Sequence, residues 1–340
     1  MKPTVLLTGA TGYIASHTWL ALEAAGFKVV GVDDFSNSSP EVLARLERLS
    51  GAKPVFERAD VCDAAALEAV FAAHRPAAVM HFAAFKAVGE STAQPLAYYR
   101  NNLGGLVNVC ETMRRHGCAR LVFSSSATVY GTPDQLPLTE DAPLSAVNPY
   151  GQTKLMGEQI LRDLGAADPG WQTACLRYFN PVGAHASGLI GEDPRGTPNN
   201  LMPYVAQVAV GRRSKLQVFG SDYPTPDGTG VRDYIHVVDL AEGHAAALRF
   251  LFAGAESLTV NLGTGRGHSV LELVRAYEAA SGRAVPYEIV ARRPGDVAAC
   301  WADPQRARDR LGWQAQHDLA RMCEDSWRWQ RLNPHGFASN

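Results

Sequence analysis

Short apolar runs alternate with helical patterns through the first half of the chain, and this alternation restricts the fold more than any other property. Strands are expected at Thr4–Leu7, Lys28–Val32, Pro54–Arg58, Ala78–Phe82 and Arg120–Ser124. Helices are expected between them at Tyr13–Ala25, Glu41–Leu49, Ala64–His74 and Pro95–His116. Such alternation dictates a parallel sheet with right-handed crossovers and helices on both faces. The strands are nearly continuous in Val, Leu, Phe and Ala, as they must be when both sheet faces are covered. A further helix is expected at Pro149–Leu164 and a strand at Thr173–Tyr178.

After Asn180 the texture changes. Residues 183–200 and 220–233 are rich in Gly, Pro, Asn and Asp, with little periodicity. Long irregular loops in an otherwise compact enzyme usually serve function. We therefore expect two units, residues 1–180 and 181–340, with the chain free to cross between them. The second is expected to be a smaller C-terminal α/β substrate-binding domain, with helices at Leu201–Gly211, Val238–Ala253, Val270–Ser281 and Pro304–Leu311.

The first strand runs into Thr8-Gly9-Ala10-Thr11-Gly12-Tyr13-Ile14-Ala15, which opens the first helix. Glycines at such a junction allow a tight turn and close approach of a pyrophosphate, which then meets free N–H groups at a helix N-terminus. The spacing is G-x-x-G-x-x-A, and Ala15 is still small enough for strand and helix to pack closely. Asp33 and Asp34 close the second strand some twenty residues further on, where a carboxylate can bind ribose hydroxyls and repel a 2′-phosphate. This favours NAD over NADP and makes the first unit a Rossmann-type, doubly wound parallel sheet. Asp60-Val61 follows the third strand, either as a reader of the adenine edge or as the cap of the next helix. Small residues in Phe82-Ala83-Ala84-Phe85-Lys86 leave room for a nicotinamide ribose beside the fourth strand; Lys86 is a cofactor contact or a surface charge.

The chemistry is carried by Asn148-Pro149-Tyr150-Gly151-Gln152-Thr153-Lys154. Tyr and Lys four residues apart share one side of a helical turn. There the cation is expected to favour the phenolate and draw the tyrosine toward working pH as a proton-transfer group. Ser124-Ser125-Ser126, at the carboxyl edge of the fifth strand, offers a hydroxyl to share that proton, although one or two of the three are expected to cap backbone locally.

Other classes fit poorly. The 340 residues carry a formal net charge of −2, so no general nucleic-acid or membrane surface is expected. The ten His residues show no paired ligand spacing, and the six Cys form no Cys-x-x-Cys, which favours reduced thiols over a zinc site or a disulfide framework. The apolar run after Met1-Lys2-Pro3 is too short for a signal peptide, and no segment reaches membrane-spanning length, so a cytoplasmic protein is expected.

Assembled, these residues resemble the extended short-chain dehydrogenase/reductase superfamily, and within it the UDP-hexose 4-epimerases. The resemblance runs almost end to end. It is carried by Lys86-Ala87-Val88-Gly89-Glu90-Ser91, by the segment from Ser124 to Gly131, and by Leu176-Arg177-Tyr178-Phe179-Asn180-Pro181-Val182-Gly183-Ala184-His185. Pro198–Tyr204, Asp227–His236 and Arg292-Arg293-Pro294-Gly295-Asp296 extend it. It implies that Tyr150 is the base and acid, Lys154 its electrostatic partner and a nicotinamide-ribose ligand, and Ser126 the proton-sharing hydroxyl. It also implies that Gly9, Gly12, Tyr13, Ile14, Asp33, Asn37, Ser38, Asp60, Val61, Phe82, Ala83, Lys86, Asn101 and Phe179 line NAD, together with Tyr150 and Lys154 themselves. Asn180, Asn200, Leu201, Phe219, Arg232, Arg293 and Asp296 would hold the UDP-sugar, with Ser126 and Tyr150 at the reacting end.

The implied reaction interconverts UDP-glucose and UDP-galactose by oxidation at C4, rotation of the 4-keto sugar and re-reduction, in galactose metabolism, by a homodimer. Cys300 stands where some members of the family carry tyrosine, so the resemblance also implies room for the 2-acetamido group of UDP-GlcNAc and UDP-GalNAc. A nucleotide-sugar 4,6-dehydratase would need Asp-Glu where Ala127 and Thr128 stand. A non-catalytic NAD-sensing scaffold would be expected to lack Tyr150 or Lys154.

Overall fold

The computed structural model describes residues 2–254, 256–293 and 295–337. Pro294, named above within the Arg292–Asp296 block, lies outside the described residues, as do Met1 and residues 338–340. In chain order the first unit comprises β1 (Thr4–Thr8), α1 (Tyr13–Ala24), β2 (Lys28–Asp33), α2 (Glu41–Ser50), β3 (Val55–Arg58), α3 (Ala64–His74) and β4 (Ala78–His81). There follow α4 (Val88–Ala93), α5 (Pro95–Tyr98), α6 (Gly104–Arg115), β5 (Arg120–Ser126), α7 (Pro149–Ala167) and β6 (Gln172–Tyr178). The remainder comprises β7 (Asn180–Val182), α8 (Leu201–Ala209), β8 (Leu216–Phe219), β9 (Val231–His236), α9 (Val237–Phe252) and β10 (Leu258–Leu262). Last come β11 (Gly267–Ser269), α10 (Val270–Ser281), β12 (Tyr287–Val290), β13 (Ala299–Cys300), α11 (Gln305–Leu311) and α12 (Leu319–Leu332).

A seven-stranded sheet in the order β10-β6-β5-β4-β1-β2-β3, parallel throughout, forms the body of the molecule. The reversal of order beside β1 creates the crevice at which such sheets bind ligands. One face is covered by α1 and α9, where Trp19 and Leu22 share a core with Leu240, Leu248 and Leu251. The other is covered by α3 and α6, with Leu67, Phe71, Val109 and Met113 packed on Leu6, Val79 and Leu121. A separate core joins α8, α10 and α12 around Val205, Leu273, Tyr277 and Met322.

One departure from the sequence expectation has a clear physical cause. The helix expected over Pro95–His116 is three pieces, because Tyr99–Leu103 widens into a π turn before Gly104-Gly105. π turns persist where a side chain is needed elsewhere, and here Asn102 leaves the helix to hold Phe85 N–H, Phe85 O and Thr153 Oγ1, at 2.8, 3.0 and 3.0 Å. The chain also crosses the boundary expected near residue 180, as allowed above: α9 and β10 return to the first sheet, β10 pairing in parallel with β6, and Ala307 and Trp313 later rejoin the same core. The short strands after Tyr178 and the helix α12 were not anticipated from sequence.

Candidate active site

The carboxyl ends of the central strands open into a cleft of about 1070 Å³. Gly9 turns the chain out of β1 at φ +66°, and a Cβ there would lie 2.8 Å from Ala83 N, so only glycine lets this loop touch the end of β4. Gly12 is the N-cap of α1 and no side chain caps the helix, while its first residues, Tyr13 to Ser16, line the cleft. Uncapped N–H groups at a helix N-terminus, with the helix dipole behind them, suit a pyrophosphate.

Asp33 organises the loop after β2. Its Oδ2 accepts Thr11 N–H at 3.0 Å, and its Oδ1 accepts Phe35 N–H at 2.9 Å and Ser38 Oγ–H at 3.1 Å. Phe35 is held at φ +63°, an uncommon conformation for a bulky residue, between the Phe56 ring at 5.2 Å and the Arg58 guanidinium at 5.7 Å. The cap of α3 is Asp63, which accepts Ala65 and Ala66 N–H at 3.0 Å; Asp60 instead accepts Cys62 N–H and lines the cleft with Val61. Every residue assigned above to the dinucleotide lies on this one cleft, from Gly9 to Asn101 and Phe179.

Tyr150, Lys154 and Ser126 line the same cleft. Asn148 caps α7 by accepting Gly151 N–H at 2.8 Å, and Pro149 begins the helix, so Tyr150 sits in its first turn. Lys154 Nζ donates to Ser124 O at 2.6 Å and lies 5.1 Å over the Phe123 ring and 5.9 Å from the centre of the Tyr150 ring. The electrostatics correct the expectation from spacing. Burial drives the Tyr150 phenol up, and it is the Ser126 hydroxyl, by hydrogen bonding, that draws it down. Burial also lowers Lys154 from 10.5 to about 7. Desolvation of both groups outweighs the attraction anticipated between them.

Because the folded pKa of Lys154 lies below its unfolded value, the unfolded chain binds the extra proton between about pH 7 and about pH 10, and stability rises with pH across that window. Lys154→Met is expected to flatten the rise, read as the urea midpoint at about pH 7 and about pH 9.5. An unchanged slope would exclude Lys154 as its source.

The serine run divides its work. Ser125 Oγ donates to Glu158 at 2.6 Å, Ser124 Oγ pairs with Tyr178 OH, and Ser126 Oγ accepts Thr128 N–H at 3.2 Å while facing the cleft. Below them His81 Nδ1 pairs with Thr8 Oγ1 at 2.9 Å, and burial with the nearby Lys154 charge holds the imidazole neutral, at about 3.

Of the residues assigned to the sugar nucleotide, Asn180 and Asn200 line the cleft. Leu201, Phe219, Arg232, Arg293, Asp296 and Cys300 are not among its lining residues. The Arg293 guanidinium stacks 4.4 Å over the Phe219 ring, and Arg232 stands opposite Cys300 in the β9–β13 register. Burial pushes the Cys300 thiol up to about 11, which leaves it a small apolar side chain rather than a nucleophile. Sequence reasoning missed Asn102, Glu192 and Arg195. The Gly- and Pro-rich texture of 183–200 marked their neighbourhood, but nothing marked the residues.

A family profile described as GDP-mannose 4,6 dehydratase matches residues 6–326. The chain is 58% identical over 335 residues to UDP-glucose 4-epimerase of Bacillus subtilis, covering 98% of this chain and 99% of that one. It is 56% identical over 346 residues to the Homo sapiens UDP-glucose 4-epimerase, covering 100% and 99%. Its fold matches the crystal structure of UDP-glucose 4-epimerase from Bifidobacterium longum in complex with NAD+ and UDP, with a TM-score of 0.95 at 53% identity, covering 98% and 99%. The profile's dehydratase name does not extend to the acid/base pair of that chemistry, since positions 127 and 128 hold Ala and Thr. Near-full-length identity above half the residues therefore decides the matter: the chain belongs to the UDP-glucose 4-epimerase family of the extended short-chain dehydrogenase/reductase superfamily.

Proposed function

We propose that the protein interconverts UDP-glucose and UDP-galactose by inverting C4 of the hexose, with NAD as its resident cofactor. The observation that carries this is the placement of Tyr150, Ser126 and Lys154 on the cleft that also gathers the glycine loop, Asp33 and the uncapped α1 N-terminus. NAD, when bound there, supplies the hydride acceptor and donor at C4. Tyr150 moves the proton at the 4-hydroxyl oxygen, off in one direction and back in the other. Ser126 shares that proton and favours the phenolate against the opposing effect of burial. Lys154 holds the end of β5 through the Ser124 carbonyl and so fixes Ser126 beside the phenol; its assigned second task is the nicotinamide ribose.

The sugar must present both faces to one set of groups, so the grip belongs on the UDP. Arg232 and Arg293, whose guanidinium forks suit phosphate oxygens, are its proposed diphosphate ligands, with Asn180, Asn200, Leu201, Phe219 and Asp296 beside them. The unit from residue 181 onward is proposed as the sugar-nucleotide domain. A homodimer is supported by Val88, Leu96 and Met156, apolar and exposed on the contacting helices α4, α5 and α7. A cytoplasmic location is supported by six cysteines that are all free thiols. Among the described residues no helix is long and apolar enough to cross a membrane.

The half-buried Cys300 supports a wider specificity that includes UDP-GlcNAc and UDP-GalNAc. Chromatography of the products from UDP-galactose and UDP-GalNAc tests both readings. Both the wild type and Cys300→Tyr are expected to form UDP-glucose. Only the wild type should turn over UDP-GalNAc well, with the tyrosine variant slower by roughly tenfold or more, the scale at which a crowded pocket discriminates. No UDP-glucose from UDP-galactose would sink the main reading; equal, negligible turnover of the acetamido sugar in both proteins would sink the second.

A further inference from the structure

The segment Gly191–Thr197 crosses the cleft, with Glu192, Asp193, Pro194 and Arg195 all on its wall. At its base it is tied down by Trp329 Nε1–H to Glu192 O at 3.2 Å and by Phe337 N–H to Asp193 Oδ2 at 2.8 Å. Gly191 lies so close to Trp329 that a Cβ there would meet the indole at 2.4 Å, which fixes the start of the segment. From this anchor Glu192 Oε1 accepts Lys86 Nζ–H at 3.2 Å, reaching the loop after β4.

Arg195 reaches further. Its Nη1 donates to Ser36 O at 2.6 Å, and its Nη2 donates to Phe35 O at 3.0 Å and Ser38 O at 2.6 Å. These three carbonyls belong to the loop whose inner side Asp33 organises through Phe35 N–H and Ser38 Oγ–H. The loop is therefore held from within by a carboxylate and from across the cleft by a guanidinium. A planar fork with several donors in fixed geometry is what three converging carbonyls require, and an ammonium on a flexible stem cannot match it. Phe35 keeps its φ of +63° between these two holds.

We propose that Arg195 is a positioning residue that clamps the Asp33–Ser38 loop from the opposite side of the cleft and so sets how long NAD stays bound. The proposal rests on the assignment of this cleft to NAD. Release of the dinucleotide needs the loop to move outward, and the loop cannot do so while its carbonyls are engaged by a segment anchored on Trp329 and Phe337. Arg195 is exposed and shares no hydrophobic core, so replacing it leaves the packing of either unit intact.

The test loads wild type, Arg195→Ala and Arg195→Lys with NAD, passes each into NAD-free buffer and follows the bound NAD with time. Arg195→Ala is expected to release NAD roughly tenfold faster or more, the scale of one lost charge-assisted hydrogen-bonding group. Arg195→Lys should be intermediate, and activity lost by Arg195→Ala during release should return when NAD is added. Wild type that holds NAD beside an Arg195→Ala variant that releases it no faster would overturn the clamp alone. Faster release with activity that added NAD does not restore would overturn it too, by showing a loss of structure. Wild type that takes up no NAD would overturn both the clamp and the assignment beneath it.

Discussion

Tyr150→Phe is expected to lower kcat by roughly 10²–10⁴-fold, the range supplied by one well-placed proton-transfer group. The substitution removes a single oxygen. The ring keeps its place in the first turn of α7, and the cap from Asn148 and the Lys154 contact to Ser124 O are untouched. NAD content should therefore equal that of the wild type, since none of the contacts that organise the glycine loop or Asp33 involves the phenol. An interaction used in the reacting state alone depresses kcat and kcat/KM together. The measurement is UDP-glucose formed from UDP-galactose, with bound NAD assayed on the same sample. Near-normal turnover would remove Tyr150 from the mechanism, whereas loss of turnover together with loss of NAD would make it a binding residue.

Glu158→Gln is expected to cost about 3–5 kcal/mol of stability, the usual consequence of breaking a buried ion pair on one side. Glu158 on α7 is fully buried, and its carboxylate takes Arg177 Nε and Nη2 at 2.8 and 2.6 Å. Arg177 Nη1 goes on to Tyr130 OH at 3.1 Å and Glu140 O at 3.0 Å, and Glu140 Oε1 accepts Asn261 N–H at 2.7 Å. The network thus ties α7 to β6, to the turn after β5 and to β10. Glutamine has nearly the same shape but leaves the guanidinium buried without its counter-charge. The urea midpoint reads the loss. The double substitution Glu158→Leu with Arg177→Met should recover much of it, because paired charges replaced together by apolar groups are often neutral or stabilising. A loss below about 1 kcal/mol, the scale of an exposed pair, would contradict the burial seen here.

The sheet and the dinucleotide cleft were legible because both are written locally. Period, strand composition and the glycine spacing after β1 act over a few residues, and the strands from β1 to β6 lie within a residue or two of their expected ends. What lay beyond reach was set by tertiary structure. Asn102 breaks a helix because its partners are in the loop after β4 and on α7, and neither is visible from the stretch Tyr99–Leu103. Tyr150 and Lys154 were found by spacing, but their electrostatics were inverted by a burial that spacing cannot report. The carbonyls held by Arg195 lie 157 to 160 residues earlier in the chain. No periodic signal connects them.

The return of β10 to the edge beside β6 governs how the chain can be made. As synthesis proceeds, the first six strands emerge in order, yet the edge of β6 stays bare, and the flank of α1 that packs on α9 has no cover until that helix is released. An open parallel edge and an uncovered apolar helix are sites for mispairing with another nascent chain. The stretch up to residue 180 therefore lacks an edge strand and a covering helix that its own sheet uses. Its sheet and core are completed only when α9, β10 and then Ala307 and Trp313 have emerged, so the early strands and the later chain are committed to fold together.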